Sequence, residues 1–193
     1  MFRFTLICVG KLKSSAITSM VAAYQERIQR NGKIESITVP DGTIESESQR
    51  ILEHLSKRKQ AKVFVLAEEG QSMSSKAFSK ELEALRGQHA IFVIGGAYGL
   101  SERVKQSADV LLSLSKMTVT HELANLLLNE QLFRAVSIMT GSKYHHDWGR
   151  KSIKANALGL IFGNIIRSFM SYIEYACMDK IFYSFEAIFD ILF

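Results

Sequence analysis

The 193-residue chain contains very little proline or cysteine: one proline, Pro40, and two cysteines, Cys8 and Cys177. Scarce proline favours long uninterrupted helices and strands, because proline disrupts the interior of both. The cysteines lie far apart without a CxxC or CxxH neighbour, so we expect neither a metal site nor a disulfide framework, and a reducing cytoplasm fits. Cys8 lies inside an apolar segment and is expected to be a buried, inert thiol.

Three further features are missing. No GxSxG motif supports hydrolase chemistry. The apolar run after Met1 is too short for a signal peptide and has no small-residue cleavage site. No clean span of the roughly 20 apolar residues that a transmembrane helix needs is present. Charged residues interrupt the most apolar segment at Arg167, Glu174, Asp179 and Lys180. A membrane anchor is therefore not expected.

The charge balance is mildly basic, with 24 Lys and Arg against 19 Asp and Glu. A net charge of +5 favours phosphate backbones over acidic partners, but only weakly. Two basic groups stand out, Lys57-Arg58-Lys59-Lys62 and Lys11-Lys13. They are solvated faces or a rim that steers phosphate, and the sequence leaves both interpretations open.

Apolar periodicity predicts alternating strands and helices up to Met139. The predicted strands are Arg3–Val9, Ile34–Val39, Lys62–Ala67, Ala90–Ile94 and Val110–Leu114. The predicted helices are Ser14–Arg30, Ser46–Lys59, Ser75–Arg86, Ser101–Gln106 and Thr118–Met139. The polar segment Glu68–Ser72 is expected to be a loop. This alternation predicts an α/β fold with a mainly parallel sheet and helices on both faces.

The chain changes character after residue 147, so we predict a domain over 1–147 and an extension over 148–193. The extension is rich in Phe, Ile and Tyr, with Ala155, Gly159 and Gly163 in a small-xxx-small pattern. We expect one or two amphipathic helices that pack on the domain or on a partner. A non-native extension from a shifted or read-through reading frame is the alternative.

Two segments that follow predicted strands are candidates for a ligand site, since open α/β sheets bind ligands at the carboxyl ends of their strands. Gly95-Gly96-Ala97-Tyr98-Gly99 is either a plain turn or a binding loop. Leu114–Val119 is either an ordinary loop or a ligand loop, and Thr120 is suited to cap the helix that follows. His121, at the start of that helix, is equally consistent with a structural and a functional role.

These segments, taken together, resemble a known family. The resemblance is carried by Cys8–Lys13, Phe92–Leu100, Leu112–Thr118, Glu130–Ala135 and Tyr144-His145-His146. It covers Met1 to about His146 in order and spacing, and residues 149–193 lie outside it. The family is that of ribosomal RNA large subunit methyltransferase H, a minimal branch of the SPOUT methyltransferases.

The resemblance implies a C-terminal trefoil knot, a homodimer and S-adenosylmethionine as cofactor. It also implies methylation of N3 of a pseudouridine in 23S rRNA on the assembled 70S ribosome, in the cytoplasm. Cofactor contacts carry over to Leu66, Gly95, Leu114, Ser115, Lys116, Met117, Thr118 and Val119. The catalytic candidates are His145, as base for the N3 proton, and Tyr144, which would stack on the base or orient it.

Two positions depart from the family pattern. Thr120 stands where the family usually has Pro, and Asn125 where it often has Arg. Loss of Pro would loosen the cofactor loop, and loss of Arg would remove a partner for phosphate or carboxylate. These departures and the extension motivate an alternative function, a catalytically impaired protein that binds the cofactor and the ribosome. A peripheral membrane or assembly protein, dominated by the apolar extension, is a third hypothesis.

Overall fold

The computed structural model of the chain describes residues 1–142 and residue 144. Strands and helices alternate along them, as predicted. The strands are β1 Phe2–Val9, β2 Gly32–Val39, β3 Lys62–Ser72, β4 His89–Ile94 and β5 Val110–Ser113. The helices are α1 Ser15–Gln29, α2 Ile44–Ser56, α3 Ser75–Ala84, α4 Glu102–Gln106 and α5 His121–Met139.

The five strands form one sheet in the order β2-β1-β4-β3-β5, and every neighbouring pair is parallel. All carboxyl ends of the strands therefore lie at one edge of the sheet and all amino ends at the opposite edge. This confirms the predicted α/β class. The trefoil knot stays a prediction, and the predicted extension over 148–193 lies outside the described residues.

Helices cover both faces of the sheet, as a parallel sheet requires. On one face, side chains of α1, α3 and α5 pack against the sheet in a core that contains Ile28, Phe78 and Leu132. On the other face, α2 and α4 contribute Ile51 and Val104. Full burial of such a side chain contributes about 1.5–3 kcal/mol. Both faces are therefore fixed by apolar burial, which leaves the two edges of the sheet for polar functions.

Each of the five helices in the described part of the chain begins after a Ser or Thr whose side chain accepts a backbone hydrogen bond. Thr120 Oγ1 accepts from the N–H of Leu123 at 3.3 Å, which confirms Thr120 as the predicted cap; α5 begins at His121, so Thr118 and Val119 belong to the preceding loop. Thr43 Oγ1 accepts from the N–H of Ser46 at 3.2 Å, which starts α2 two residues earlier than predicted. The corresponding caps of α1, α3 and α4 are Ser14, Ser74 and Ser101. Such caps satisfy backbone donors that the first turn leaves unpaired.

The prediction of a loop over Glu68–Ser72 is wrong, because β3 continues through Ser72. After a register shift between Leu66 and Gln71, the strand pairs with β5 again, with Gln71 opposite Leu112. Most side chains of this segment are exposed while its backbone is paired. Its polar composition therefore reflects solvent exposure and not the absence of a strand.

Candidate functional site

A cavity of about 310 Å³ opens at the carboxyl ends of β3, β4 and β5. Because β3 lies between β4 and β5, the loops that follow these two neighbours come together over its end. The walls come from β3, from the loops after β4 and β5, and from Lys105 of α4 and His121 and Ala124 of α5. The volume is at the lower end of the range for small-molecule sites.

The cavity brings together seven of the eight predicted cofactor residues. These are Leu66, Gly95, Leu114, Ser115, Met117, Thr118 and Val119. The eighth, Lys116, is not among the lining residues, and its Nζ lies 3.5 Å from the backbone oxygen of Glu68. Segments separated by up to 53 positions in the chain therefore meet at one place, since Leu66 and Val119 both line it.

The loop after β4 is a tight turn that also lines the cavity, which confirms the turn, while its role as a binding loop stays a prediction. The N–H of Gly99 donates to the carbonyl of Gly96 at 3.2 Å, and Gly99 has a φ of +76°. A Cβ on Gly95 would lie 2.9 Å from the backbone of Gly99 and from the side chain of Leu100. The turn therefore excludes a side chain at Gly95, and its backbone is exposed to a ligand.

Two residues of α2, Glu47 and Ser48, contact the glycine loop and the residue that follows it. Ser48 Oγ donates to Ser101 Oγ at 2.6 Å, just beyond the loop. Glu47 is buried, accepts from the N–H of Gly42 at 2.8 Å, and packs next to Gly96. Sequence analysis missed both residues. The available signal was the run of polar side chains in the first turn of a helix whose other face is apolar.

The loop after β5 is fixed by its own side chains. Ser113 Oγ donates to the carbonyl of Ser115 at 2.9 Å, and Ser115 Oγ accepts from the N–H of Met117 at 3.0 Å. The cap at Thr120 then closes the loop, so that the loop is held without the proline common in the family. Met117 remains 77% exposed and Tyr98, in the opposite loop, 80% exposed. They lie at the open side of the cavity.

Two polar side chains of the cavity wall, Lys105 and His121, differ in how they are paired. Lys105 Nζ lies 2.6 Å from Glu69 and 3.1 Å from Glu102, and these hydrogen bonds raise the pKa of Lys105. The Nε2 atom of His121 is buried and has no hydrogen-bond partner within residues 1–142 and 144. A ligand that hydrogen-bonds to this nitrogen would satisfy it. The described residues contain no group of three His, Cys, Asp or Glu arranged to hold a metal.

Tyr144 follows α5 in the chain and packs against that helix. It is not among the residues that line the cavity. Its ring centroid is 4.6 Å from that of Phe133, and its hydroxyl donates to Glu130 Oε1 at 3.2 Å. Partial burial, with Tyr24 and Glu130 nearby, raises the pKa of Tyr144. The other predicted catalytic residue, His145, lies outside the described residues.

Asn125, the second departure from the family pattern, is buried against β1. Its Nδ2 donates to Cys8 Sγ at 3.0 Å, and its Oδ1 accepts from Asn129 Nδ2 at 2.8 Å. Burial raises the pKa of Cys8 to about 12, and the hydrogen bond from Asn125 opposes this shift only in part. The predicted burial of Cys8 is confirmed. Asn125 is a structural link between α5 and β1 and is not among the residues that line the cavity.

Comparison with known proteins gives a consistent result. A family model described as "Predicted SPOUT methyltransferase" matches residues 2–145. Three relatives, each named ribosomal RNA large subunit methyltransferase H, come from Prochlorococcus marinus, Leuconostoc citreum and Streptococcus thermophilus. They are 39%, 40% and 43% identical to this chain over 75%, 72% and 72% of its length. The matches cover 97% of each relative.

A solved structure of a probable methylase family protein from Haemophilus influenzae Rd KW20 is similar at a TM-score of 0.46 and 14% identity, over 89% of this chain and 79% of that chain. The sequence matches are much stronger, and they extend from the first strand to the end of the described residues. The chain therefore belongs to the SPOUT methyltransferase family, whose methyl donor is S-adenosylmethionine.

Proposed function

We propose that this enzyme methylates N3 of a pseudouridine in 23S rRNA on the assembled ribosome, with S-adenosylmethionine bound in the cavity at the carboxyl ends of β3, β4 and β5. The observation that carries the proposal is the convergence of Leu66, Gly95 and the loop after β5 on that cavity. The relatives named as large subunit rRNA methyltransferases supply the substrate class. A ribosomal substrate implies a cytoplasmic location.

The residues of the cavity fit this cofactor. Leu66, Leu114 and Val119 provide apolar surface for a flat adenine ring. Gly95 lines the cavity with backbone alone. Lys105 stands at the wall, where Glu69 and Glu102 already compensate its charge. His121 provides a buried ring nitrogen without a partner in the described part of the chain.

Catalysis in this scheme is mainly positioning. The bound cofactor supplies a methyl group that is already activated on a sulfonium, so in-line alignment with the attacking nitrogen is the main requirement. The N3 imide must also lose its proton, and we assign His145 as the base. Tyr144 stacks on the target base or orients it. These two roles rest on the place of both residues at the end of the family match.

The homodimer would form through α1 and α5. Leu123 and Leu127 are 43% and 40% exposed on α5, and Met20 is 48% exposed on α1, the helix packed beside it. Along α5 this apolar face continues at helical spacing to Glu130, which accepts the hydrogen bond from Tyr144. Pairing of two copies over this face would therefore bring Tyr144 close to the partner subunit.

The proposal is tested by transfer of labelled methyl from S-adenosylmethionine to 70S ribosomes that lack the modification. The full-length protein is compared with a version that ends at Asp147, and the product is mapped by mass spectrometry. Activity in both, on N3 of one pseudouridine, is the expected result and makes residues 148–193 an accessory segment. Activity only in the shorter version would assign an inhibitory role to that segment.

Binding of the cofactor without turnover in either version would contradict the proposal and favour the impaired, ribosome-binding function. The catalytic assignment has its own test, His145→Ala, which we expect to lose methyl transfer while it retains affinity for the cofactor. Full activity of that variant would remove His145 from the mechanism and leave the function intact.

A further inference from the structure

A second and larger concavity, about 1250 Å³ in volume, lies at the amino ends of the strands, the edge of the sheet opposite the cofactor cavity. Its walls come from the starts of β1, β2 and β4, from the end of α2 and the segment that follows it, and from the turn before β4. Sequence separates these pieces widely, and only the fold assembles them. We call this concavity the basic groove.

The groove is lined by five Lys and Arg side chains and, among the described residues, by one carboxylate, that of Glu35. The cations are Arg3, Lys33, Lys57, Arg58 and Lys59. Arg58 pairs with Glu35 at 3.5 Å. Within residues 1–142 and 144, the other four have no acidic partner within 4 Å. Their like charges remain uncompensated, which disfavours the empty groove and favours a polyanion in it.

The sheet arranges part of this charge in a regular row. Arg3 is the register partner of Lys33 on one side and of His89 on the other. Residues in register on parallel strands lie on the same face, about 4.8 Å apart from strand to strand. Arg3 and Lys33 are both exposed. Two neighbouring cations, with an imidazole next in the row, therefore face the groove from a rigid element, which is better defined than cations on a mobile loop.

The floor of the groove is polar and ordered as well. Thr5 is buried, and its Oγ1 lies 2.9 Å from Nε2 of His89 and 3.3 Å from Glu35. Burial, Arg3 and Arg58 lower the pKa of His89, which favours the neutral imidazole that contacts Thr5 Oγ1. The groove thus combines uncompensated cations with neutral polar groups, the combination that phosphate and ribose oxygens require.

From this arrangement we infer that the basic groove binds the phosphate backbone of the substrate RNA at a point remote from the methylated base. The identity of the polyanion rests on the proposed function. β1 has eight residues and spans ~26 Å, so the groove and the cofactor cavity are separated by about that length. A contact at this distance reads no base and adds affinity and orientation only. It suits a substrate much larger than the enzyme.

The test reverses two exposed charges in the groove, Lys33→Glu with Lys59→Glu. The matched control, Lys76→Glu with Lys80→Glu, changes the net charge equally on α3, whose residues do not line the groove. Two probes are used: 70S ribosomes that lack the modification, and a 20-base-pair RNA duplex without a target base. Binding is measured at several salt concentrations, together with KM, kcat and the affinity for S-adenosylmethionine.

We expect the groove variant to bind both probes at least tenfold more weakly, with a shallower salt dependence, because each lost phosphate contact lowers the slope by roughly one. Its KM for ribosomes rises, while kcat at saturation and cofactor affinity stay unchanged, and the control resembles the wild type. Equal loss in both variants, or no loss in the groove variant, would overturn the inference.

Failure of the proposed function gives a different result. Wild-type protein would then leave ribosomes unmethylated, yet the duplex would still bind in a groove-dependent way. Groove-dependent binding to phosphatidylserine vesicles, with no binding to either RNA, would assign the surface to a membrane and overturn the RNA assignment.

Discussion

Tyr144 donates a hydrogen bond to Glu130, and through it the end of the described chain is fastened to α5. Glu130 accepts from Arg134 as well, and the Arg134 guanidinium lies 4.9 Å from the Tyr144 ring centroid. The ring also packs on Phe133. One carboxylate thus holds both Tyr144, beyond the end of α5, and Arg134 of the helix itself.

Tyr144→Phe keeps the ring and removes only this hydrogen bond. We expect methyl transfer to fall about fivefold, the effect of a hydrogen bond worth about 1 kcal/mol, with cofactor affinity unchanged. Tyr144→Ala should lower methyl transfer much further, since it also removes the contacts of the ring. Equal activity of all three proteins in the ribosome assay would show that Tyr144 has no part in positioning.

Gly95→Ala should displace the glycine loop that lines the cavity, because the added methyl would meet the Gly99 backbone at 2.9 Å. We expect S-adenosylmethionine to bind more than tenfold more weakly by calorimetry. The control is Gly87→Ala in the turn before β4, where a Cβ meets nothing within 4 Å. That variant is destabilised by about 1–2 kcal/mol through its left-handed backbone and keeps cofactor affinity. Wild-type affinity in Gly95→Ala would exclude this loop from the site.

Met117 should be protected from oxidation by the cofactor, because it lies at the cavity and is 77% exposed without a ligand. Limited peroxide treatment followed by mass spectrometry measures sulfoxide formation at each methionine. Met1, which is 74% exposed and does not line the cavity, is the internal control. We expect saturating S-adenosylmethionine to slow oxidation of Met117 several-fold and leave Met1 unaffected. Equal rates at Met117 with and without cofactor would contradict the proposed binding mode.

Leu123→Glu should dissociate the proposed homodimer, since it places a charge in the centre of the apolar face of α5. Light scattering after size-exclusion chromatography would give the mass of one chain. Ile44→Glu is the matched control, because Ile44 is 36% exposed on α2, which covers the other face of the sheet. Retention of a dimer mass by Leu123→Glu would place the interface on another surface, and a wild-type mass of one chain would contradict the homodimer.

The Cys8 thiol should be unreactive in the folded protein, because its pKa of about 12 leaves almost no thiolate at pH 8. In a Cys177→Ser background, alkylation by iodoacetamide should be at least a hundredfold slower than in denaturant. The raised pKa also makes the stability of the folded state depend on pH. The contribution of Cys8 is fully present below pH 9.0, the pKa of the thiol in the unfolded chain. That contribution is lost as the pH rises from 9 toward 12. Rapid alkylation of the native protein would contradict the burial.

The sequence predicted the order of the elements well, because apolar spacing and caps such as Ser14 and Thr120 are local signals. It failed at Glu68–Ser72, where the decisive interaction is backbone pairing with β5. No local pattern reports the partner of a strand. The order of the strands in the sheet could not be predicted from the sequence either, since it depends on how the connections between strands pack.

At the candidate site, the residues that line the cavity could be predicted from the sequence, but the residues that hold its loops in place could not. The predicted cofactor positions came from resemblance, and the fold brought all but Lys116 to one cavity. Glu47 and Ser48 went unnoticed, because each acts on a loop about 50 residues further along the chain. The basic groove was visible only as Lys57-Arg58-Lys59, since Arg3 and Lys33 join these cations through strand register alone.

The packing of α1 against α5 has a consequence for biosynthesis. Glu122, on the last described helix, accepts hydrogen bonds at 3.1 Å from the backbone of Lys13 and Ser14, near the start of the chain. β1 likewise needs β4, more than 80 residues later, to complete its pairing. β1 and the turn after it must therefore wait for nearly the whole domain to emerge from the ribosome. Such distant pairings slow folding, so the nascent chain should acquire protease resistance in one late step, after release of α5.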